Sequence, residues 1–84
     1  MQVSIDVSLY PLNEKFIPPI DDFISDLKKY DNIEVRTNSM STQLFGDFDD
    51  LMIILKIEIE ITFKKEINSV LNIKIVNGGS GTYD

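Results

Sequence analysis

Residues 51–65 read LMIILKIEIEITFKK, and the fold turns on whether this run is a strand or a helix. Its second half, KIEIEITFK, alternates apolar and charged residues with the period of two that a strand shows. On a helix at about 100° per residue, Phe48, Leu51, Met52, Leu55, Ile59 and Phe63 fall in one stripe with Thr62 beside them. Lys56, Glu58, Glu60, Lys64 and Lys65 then all fall outside it. As a strand, residues 51–54 would have no pattern, and the run would far exceed the usual strand length of about 5–6 residues. A helix over residues 48–66 is therefore expected. Its many β-branched residues lower its intrinsic propensity, so packing must hold it. It also carries a surplus: Ile53, Ile54, Ile57 and Ile61 lie opposite the stripe. Contiguous apolar residues of this kind mark interfaces, so a homo-dimer or tetramer using these four isoleucines is expected.

The flanking sequence supplies the rest of the architecture. Val3, Ile5, Val7 and Leu9 alternate with Ser4, Asp6, Ser8 and Tyr10, as in a half-buried strand that Pro11 ends. From Phe16 to Tyr30 the period lengthens, with Phe16, Ile20, Phe23, Ile24 and Leu27 on one helical stripe. Pro18 and Pro19 suit only the first turn of that helix, where a missing N–H costs nothing. Asp21 and Asp22 near its start and Lys28 and Lys29 near its end complement the helix dipole. Asp31 and Asn32 form a turn. Alternation resumes over residues 33–38, Ser39-Met40-Ser41 reads as a hairpin connection, and residues 42–45 return as a strand. Asp47 or Asp49 can cap the next helix. A last strand spans residues 69–76, with Leu71, Ile73 and Ile75 on one face and Asn72 and Lys74 on the other.

The order β-α-β-β-α-β has one well-known physical solution, an α+β ferredoxin-like sandwich. Four antiparallel strands in the order 4-1-3-2 carry two helices on one face, and each crossover is right-handed. Residues 1–77 are expected to form this one domain, and residues 78–84, with Gly78-Gly79-Ser80-Gly81, a flexible C-terminal tail.

Composition prunes function. The 84 residues include neither His nor Cys, which removes Ser-His-Asp and Cys-His catalysis and ordinary zinc sites. No HExxH, P-loop or GxGxxG occurs, so no cofactor or metal is expected and an enzyme is not. Eight basic residues are scattered among fourteen acidic ones, for a net charge of −6, and a nucleic-acid partner would need a basic patch. The N-terminal stretch has no basic segment leading into an apolar run, so no signal peptide is expected. Its apolar runs are too short to span a bilayer, so no membrane partner is expected either. A cytoplasmic location is the expectation.

The helix-free face of such a sheet should present Ser4, Asp6, Ser8 and Tyr10 from the first strand and Glu34, Arg36 and Asn38 from the second. Gln43 and Phe45 come from the third strand, and Asn72 and Lys74 from the last. It can be a solvated surface with cross-strand pairs such as Asp6 with Lys74, or a shallow recognition surface of hydroxyls, amides and a ring.

Three motifs in register carry a resemblance. Val7-Ser8-Leu9-Tyr10-Pro11-Leu12, the hairpin from Thr37 to Asp47 with Met40-Ser41-Thr42 followed by Gly46-Asp47, and Asn72-Ile73-Lys74-Ile75 together resemble the small thiamine-binding protein family. The resemblance implies a ferredoxin-like fold, dimers or tetramers, and non-catalytic binding of thiamine or its hydroxymethylpyrimidine part. Phe45 stands where many relatives carry an acidic residue.

A ligand of that kind needs hydrogen bonds at its pyrimidine edge, a ring against its face, and an aromatic face or carboxylate near its cation. Ser8, Thr37, Asn38, Ser41, Thr42 and Gln43 are the candidate hydrogen-bonding residues. Tyr10 and Phe45 could stack, and Asp6, Glu34 or Asp47 could offset charge. The alternative is a structural homo-oligomer or regulatory interaction module without a ligand, because Ser and Thr are also ordinary turn formers.

Overall fold

The disputed run is a helix. In the computed structural model, which describes residues 1–12, 17–65 and 68–79, the elements are β1 (Gln2–Pro11), α1 (Ile17–Leu27), β2 (Glu34–Thr37), β3 (Thr42–Asp47), α2 (Phe48–Phe63) and β4 (Ser69–Val76). Phe16, expected at the head of the first helical stripe, lies outside the described residues, as do residues 80–84 of the expected tail.

The strands form one antiparallel sheet in the order β2-β3-β1-β4. Read from the other edge this is 4-1-3-2, the ferredoxin-like arrangement. Val3, Ile5, Val7 and Leu9 of β1 join Leu44 of β3 on the packed face. There they meet Phe23 and Leu27 of α1 and Leu51, Ile54 and Leu55 of α2. Asp6 does stand opposite Lys74 across β1 and β4.

Strand β3 runs into α2 with no linker. Asp47 is both the last strand residue and the N-cap, and its carboxylate accepts from the Asp50 N–H at 3.4 Å. The N-terminal amine of Met1 pairs with the same carboxylate at 3.2 Å. The amine's hydrogen bond and then the Asp50 N–H hold the Asp47 carboxyl below its ordinary pKa. Past the end of α1, Lys28 still donates to the Ile24 carbonyl at 3.1 Å, so Lys28 and Lys29 sit just beyond the last helical residue rather than inside it.

The facing of α2 differs from the sequence expectation. Its buried residues are Leu51, Ile54, Leu55, Glu58 and Thr62. Phe48, Met52 and Phe63, expected in the core, are exposed. The whole stripe is turned by about 75°, less than one residue's step of about 100°. Two consequences follow. Ile54 leaves the proposed surface cluster and enters the core, so Ile53, Ile57 and Ile61 remain on that flank. Glu58, expected among the solvated charges, is only 6% exposed.

A buried carboxylate requires a partner. The Glu58 carboxylate accepts from the Tyr30 hydroxyl at 2.7 Å, while the buried Thr62 hydroxyl donates to the Glu58 backbone carbonyl at 2.8 Å. The hydrogen bond to Glu58, then burial, raises the Tyr30 pKa above 10.0. The folded state therefore holds that phenolic proton more tightly than the unfolded chain. Its stabilising share is intact below pH 10 and is lost as pH rises further.

The helix-free face is only partly solvated. Phe45 is 4% exposed, flanked in register by Ser4 and Glu34, with the Arg36 guanidinium 4.8 Å from its ring centroid. Arg36 in turn pairs with Glu34. Ser4 is 1% exposed and donates to the Gly78 carbonyl at 2.6 Å, so the chain just after β4 is held against this face. Both residues were expected outward. They are outward from the helices, yet a few neighbouring side chains and residues 77–79 suffice to cover them.

Candidate functional site

The pairing of β1 with β3 leaves a notch. Val7 stands opposite Thr42, the first residue of β3. Ser8, Leu9, Tyr10 and Pro11 continue past that point and, among the described residues, pair only with β4 on their other side. The overhang faces the hairpin loop at residues 38–41, and α1 closes the notch from the packed face. A cavity of about 420 Å³ results. That volume suits a small-molecule site, which typically measures about 300–1,000 Å³.

Three elements line it. Strand β1 contributes Val7, Ser8, Leu9, Tyr10 and Pro11. Ile20 and Ile24 come from α1, and Asn38, Ser39, Met40, Ser41 and Thr42 from the hairpin. Among the described residues, no charged side chain lines it.

The hairpin's shape is fixed by Asn38. Its side-chain carbonyl accepts from the Met40 N–H at 2.7 Å and the Ser41 N–H at 3.0 Å. Its own N–H donates to the Ser41 carbonyl at 3.1 Å. An asparagine that caps its own turn in this way is a common turn device. It leaves Asn38 shaping the rim with its carbonyl rather than offering that atom to a ligand. Met40, at the loop tip, is exposed, whereas Thr42 is buried at the base.

Of the eight candidates read from the sequence, the structure gathers Ser8, Tyr10, Asn38, Ser41 and Thr42 around this one cavity. Thr37, Gln43 and Phe45 are not in its lining. Phe45 is buried under Arg36 instead. The carboxylates proposed to offset a cation are elsewhere too. Asp47 pairs with Gln2 at the far end of β1 and caps α2, and Glu34 is engaged by Arg36.

The sequence points to the open face together with the end of the first strand and the hairpin, but nothing in it singles out Ile20, Ile24 or Met40. A signal for the notch existed: a first strand ending at Pro11 is longer than its partner, so its end must overhang the hairpin. A second, smaller hollow of about 270 Å³ lies between the helices, lined by Asp26, Lys29, Tyr30, Glu58 and Ile61. Its acidic groups are committed, Glu58 to Tyr30 and Asp26 to Lys29 at 3.0 Å.

The fold and the notch define a ferredoxin-like α+β sandwich with a neutral cavity at one end of its sheet. No family model matches the sequence, and no curated protein matches it. Solved structures do. Protein SP2199 from Streptococcus pneumoniae is 31% identical, with a TM-score of 0.87, over 100% of this chain and 94% of that one. The chain belongs to the family of that pneumococcal protein.

The fold is shared more widely. A Thermotoga maritima protein described as a candidate for thiamine biosynthesis or salvage is 18% identical, with a TM-score of 0.75, over all of both chains. A domain of unknown function, DUF77, from Bacillus cereus is 18% identical, with a TM-score of 0.68, over 95% of this chain and 79% of that one. No helix among the described residues is long and apolar enough to cross a membrane.

Proposed function

We propose that the protein is a non-catalytic binder of thiamine or its hydroxymethylpyrimidine part, whose flat, uncharged pyrimidine ring enters the cavity. One observation carries this reading: the cavity is mostly apolar, lacks fixed charge among the described residues, and has hydroxyls and one aromatic residue at its edge. An uncharged pyrimidine loses little on entering such a site, whereas a bare cation would be costly to desolvate there. In thiamine the pyrimidine would enter and the thiazolium would stay at the mouth, in the field of a chain with net charge −6. The name of the Thermotoga neighbour supports the same ligand class.

Calorimetric titration tests it. Saturable heat is expected with hydroxymethylpyrimidine and with thiamine. Replacing Ser8 or Thr42 by Ala should weaken binding about 2–10-fold, the usual worth of one neutral hydrogen bond. A flat titration with both compounds at millimolar concentration would sink the proposal.

Assembly through α2 is a second reading. Ile53, Ile57 and Ile61 recur every four residues and stay exposed on one flank of α2, and such a row is better placed against another chain than in water. Ile57→Glu is expected to reduce the mass in solution, or the solubility, while leaving helicity intact, because Ile57 is exposed and lies outside the core cluster. An unchanged mass would remove this flank as a subunit contact.

A further inference from the structure

A protein grips a phosphate with cationic side chains, with free backbone N–H groups, or with the N-terminus of a helix. Among the described residues, each of the three is missing or already spent at the notch. No charged side chain lines the cavity. In the hairpin, the Met40 and Ser41 N–H groups donate to the Asn38 side-chain carbonyl at 2.7 and 3.0 Å, and the Asn38 N–H donates to the Ser41 carbonyl at 3.1 Å. At the end of β1, Pro11 has no N–H to give, and the Leu12 N–H donates to the Asn68 carbonyl at 2.7 Å.

Helix α1 brings its first turns to the notch, where Ile20 and Ile24 form part of the lining. The start of a helix ordinarily attracts anions through its free N–H groups. Here two of the first three helical residues are Pro18 and Pro19, which have none. Asp21 and Asp22 follow, and Lys65, which reaches this end of the helix, is paired with Asp22 at 3.6 Å. The hydroxyls of Ser8, Tyr10, Ser41 and Thr42 remain. They suit an alcohol or a ring nitrogen, but without a cation they do not offset a doubly charged group.

We infer that the cavity takes hydroxymethylpyrimidine as the free alcohol and rejects its phosphate ester. This selection rests on the pyrimidine ligand proposed above and adds the charge state that the ligand must have. The ester's phosphate hangs from the ring methylene, the same carbon that carries the thiazolium in thiamine. The two compounds therefore set opposite charges at one place, the mouth of the cavity. A phosphate monoester carries about −1.5 to −2 charges at pH 7, and the chain itself carries −6. That field draws the thiazolium and repels the ester. The ester also gives up hydration that no donor at the rim replaces. Any phosphorylation of this hydroxyl must then follow release of the alcohol from the protein.

Calorimetric titration of the full chain with three compounds tests the selection: the alcohol, its monophosphate, and its acetate ester, a neutral control of similar size. The monophosphate should bind at least about tenfold more weakly than the alcohol, as expected of a charge that finds no partner. The acetate ester should bind nearly as well as the alcohol. Equal affinities for the alcohol and the monophosphate would overturn the inference and leave the pyrimidine site standing. Equal losses for the two esters would overturn it too, because size and not charge would then decide. So would tighter binding of the monophosphate, and Lys15→Ala would then show whether the one lysine of residues 13–16 supplies the cation. Flat titrations with all three compounds would remove the proposed ligand itself, and this selection with it.

Discussion

Leu51→Ala is expected to cost about 2–5 kcal/mol of folding stability, while Met52→Ala, one residue further on, costs about 0.5 kcal/mol or less. Leu51 is fully buried on the side of α2 that meets the core, whereas Met52 is exposed. Truncating the first leaves a cavity among Leu44, Ile54 and Leu55 of the same core cluster. Truncating the second removes atoms that already face water. A chain of 84 residues has roughly 4–13 kcal/mol to lose, at about 0.05–0.15 kcal/mol per residue. The Leu51 variant should therefore be near the limit of folding at all. Urea unfolding of both variants measures the difference directly. The two residues are equivalent in the stripe drawn from the sequence, so equal losses would restore that stripe and reject the rotation of α2.

Phe45→Ala is expected to cost about 3–5 kcal/mol, as for a buried aromatic side chain. The midpoint of thermal unfolding should fall by more than about 10 °C, since 1 kcal/mol is worth about 4–8 °C in a domain of this size. Phe45 lies on the helix-free face, where a ring could have served as an open stacking platform. The structure makes it a small second core instead, with the Arg36 guanidinium over its face and Ser4 and Glu34 on either side. Arg36→Ala should cost far less, about 0.5–1 kcal/mol for an exposed cation over a ring. Because Phe45 does not line the cavity, a folded Phe45→Leu variant should bind ligand as the parent does. A stability loss under about 1 kcal/mol for Phe45→Ala, or loss of ligand heat in Phe45→Leu, would put the ring back at a binding surface.

The difference between these residues and the well-read ones is physical. Val3, Ile5, Val7 and Leu9 announce their face because a strand alternates strictly, and one polar residue between each pair leaves no second choice. The stretch Leu51-Met52-Ile53-Ile54-Leu55 has no such asymmetry. Five consecutive apolar residues point in every direction around a helix, so several facings satisfy the pattern almost equally. The direct junction at Asp47 and the fit of Ile54 against the sheet choose among them. Glu58 was assigned to solvent because a carboxylate normally belongs there. Its burial depends on the Tyr30 hydroxyl, 28 residues away in sequence and reachable only once both helices pack.

The same division holds at the candidate site. Ser8, Tyr10, Ser41 and Thr42 were legible from the end of a strand and the chemistry of a hairpin. Ile20 and Ile24 were not, because nothing in α1 announces which end of the sheet it will cover.

What the chain by itself determined is the list of elements, their order, and hence the topology, because periods of two and 3.6 residues are properties of the local backbone. What only the tertiary structure decided is which way α2 faces, which polar groups are buried, and where an overhanging strand leaves a cavity. Those depend on distant side chains competing for the same space, and no local pattern records the outcome of that competition.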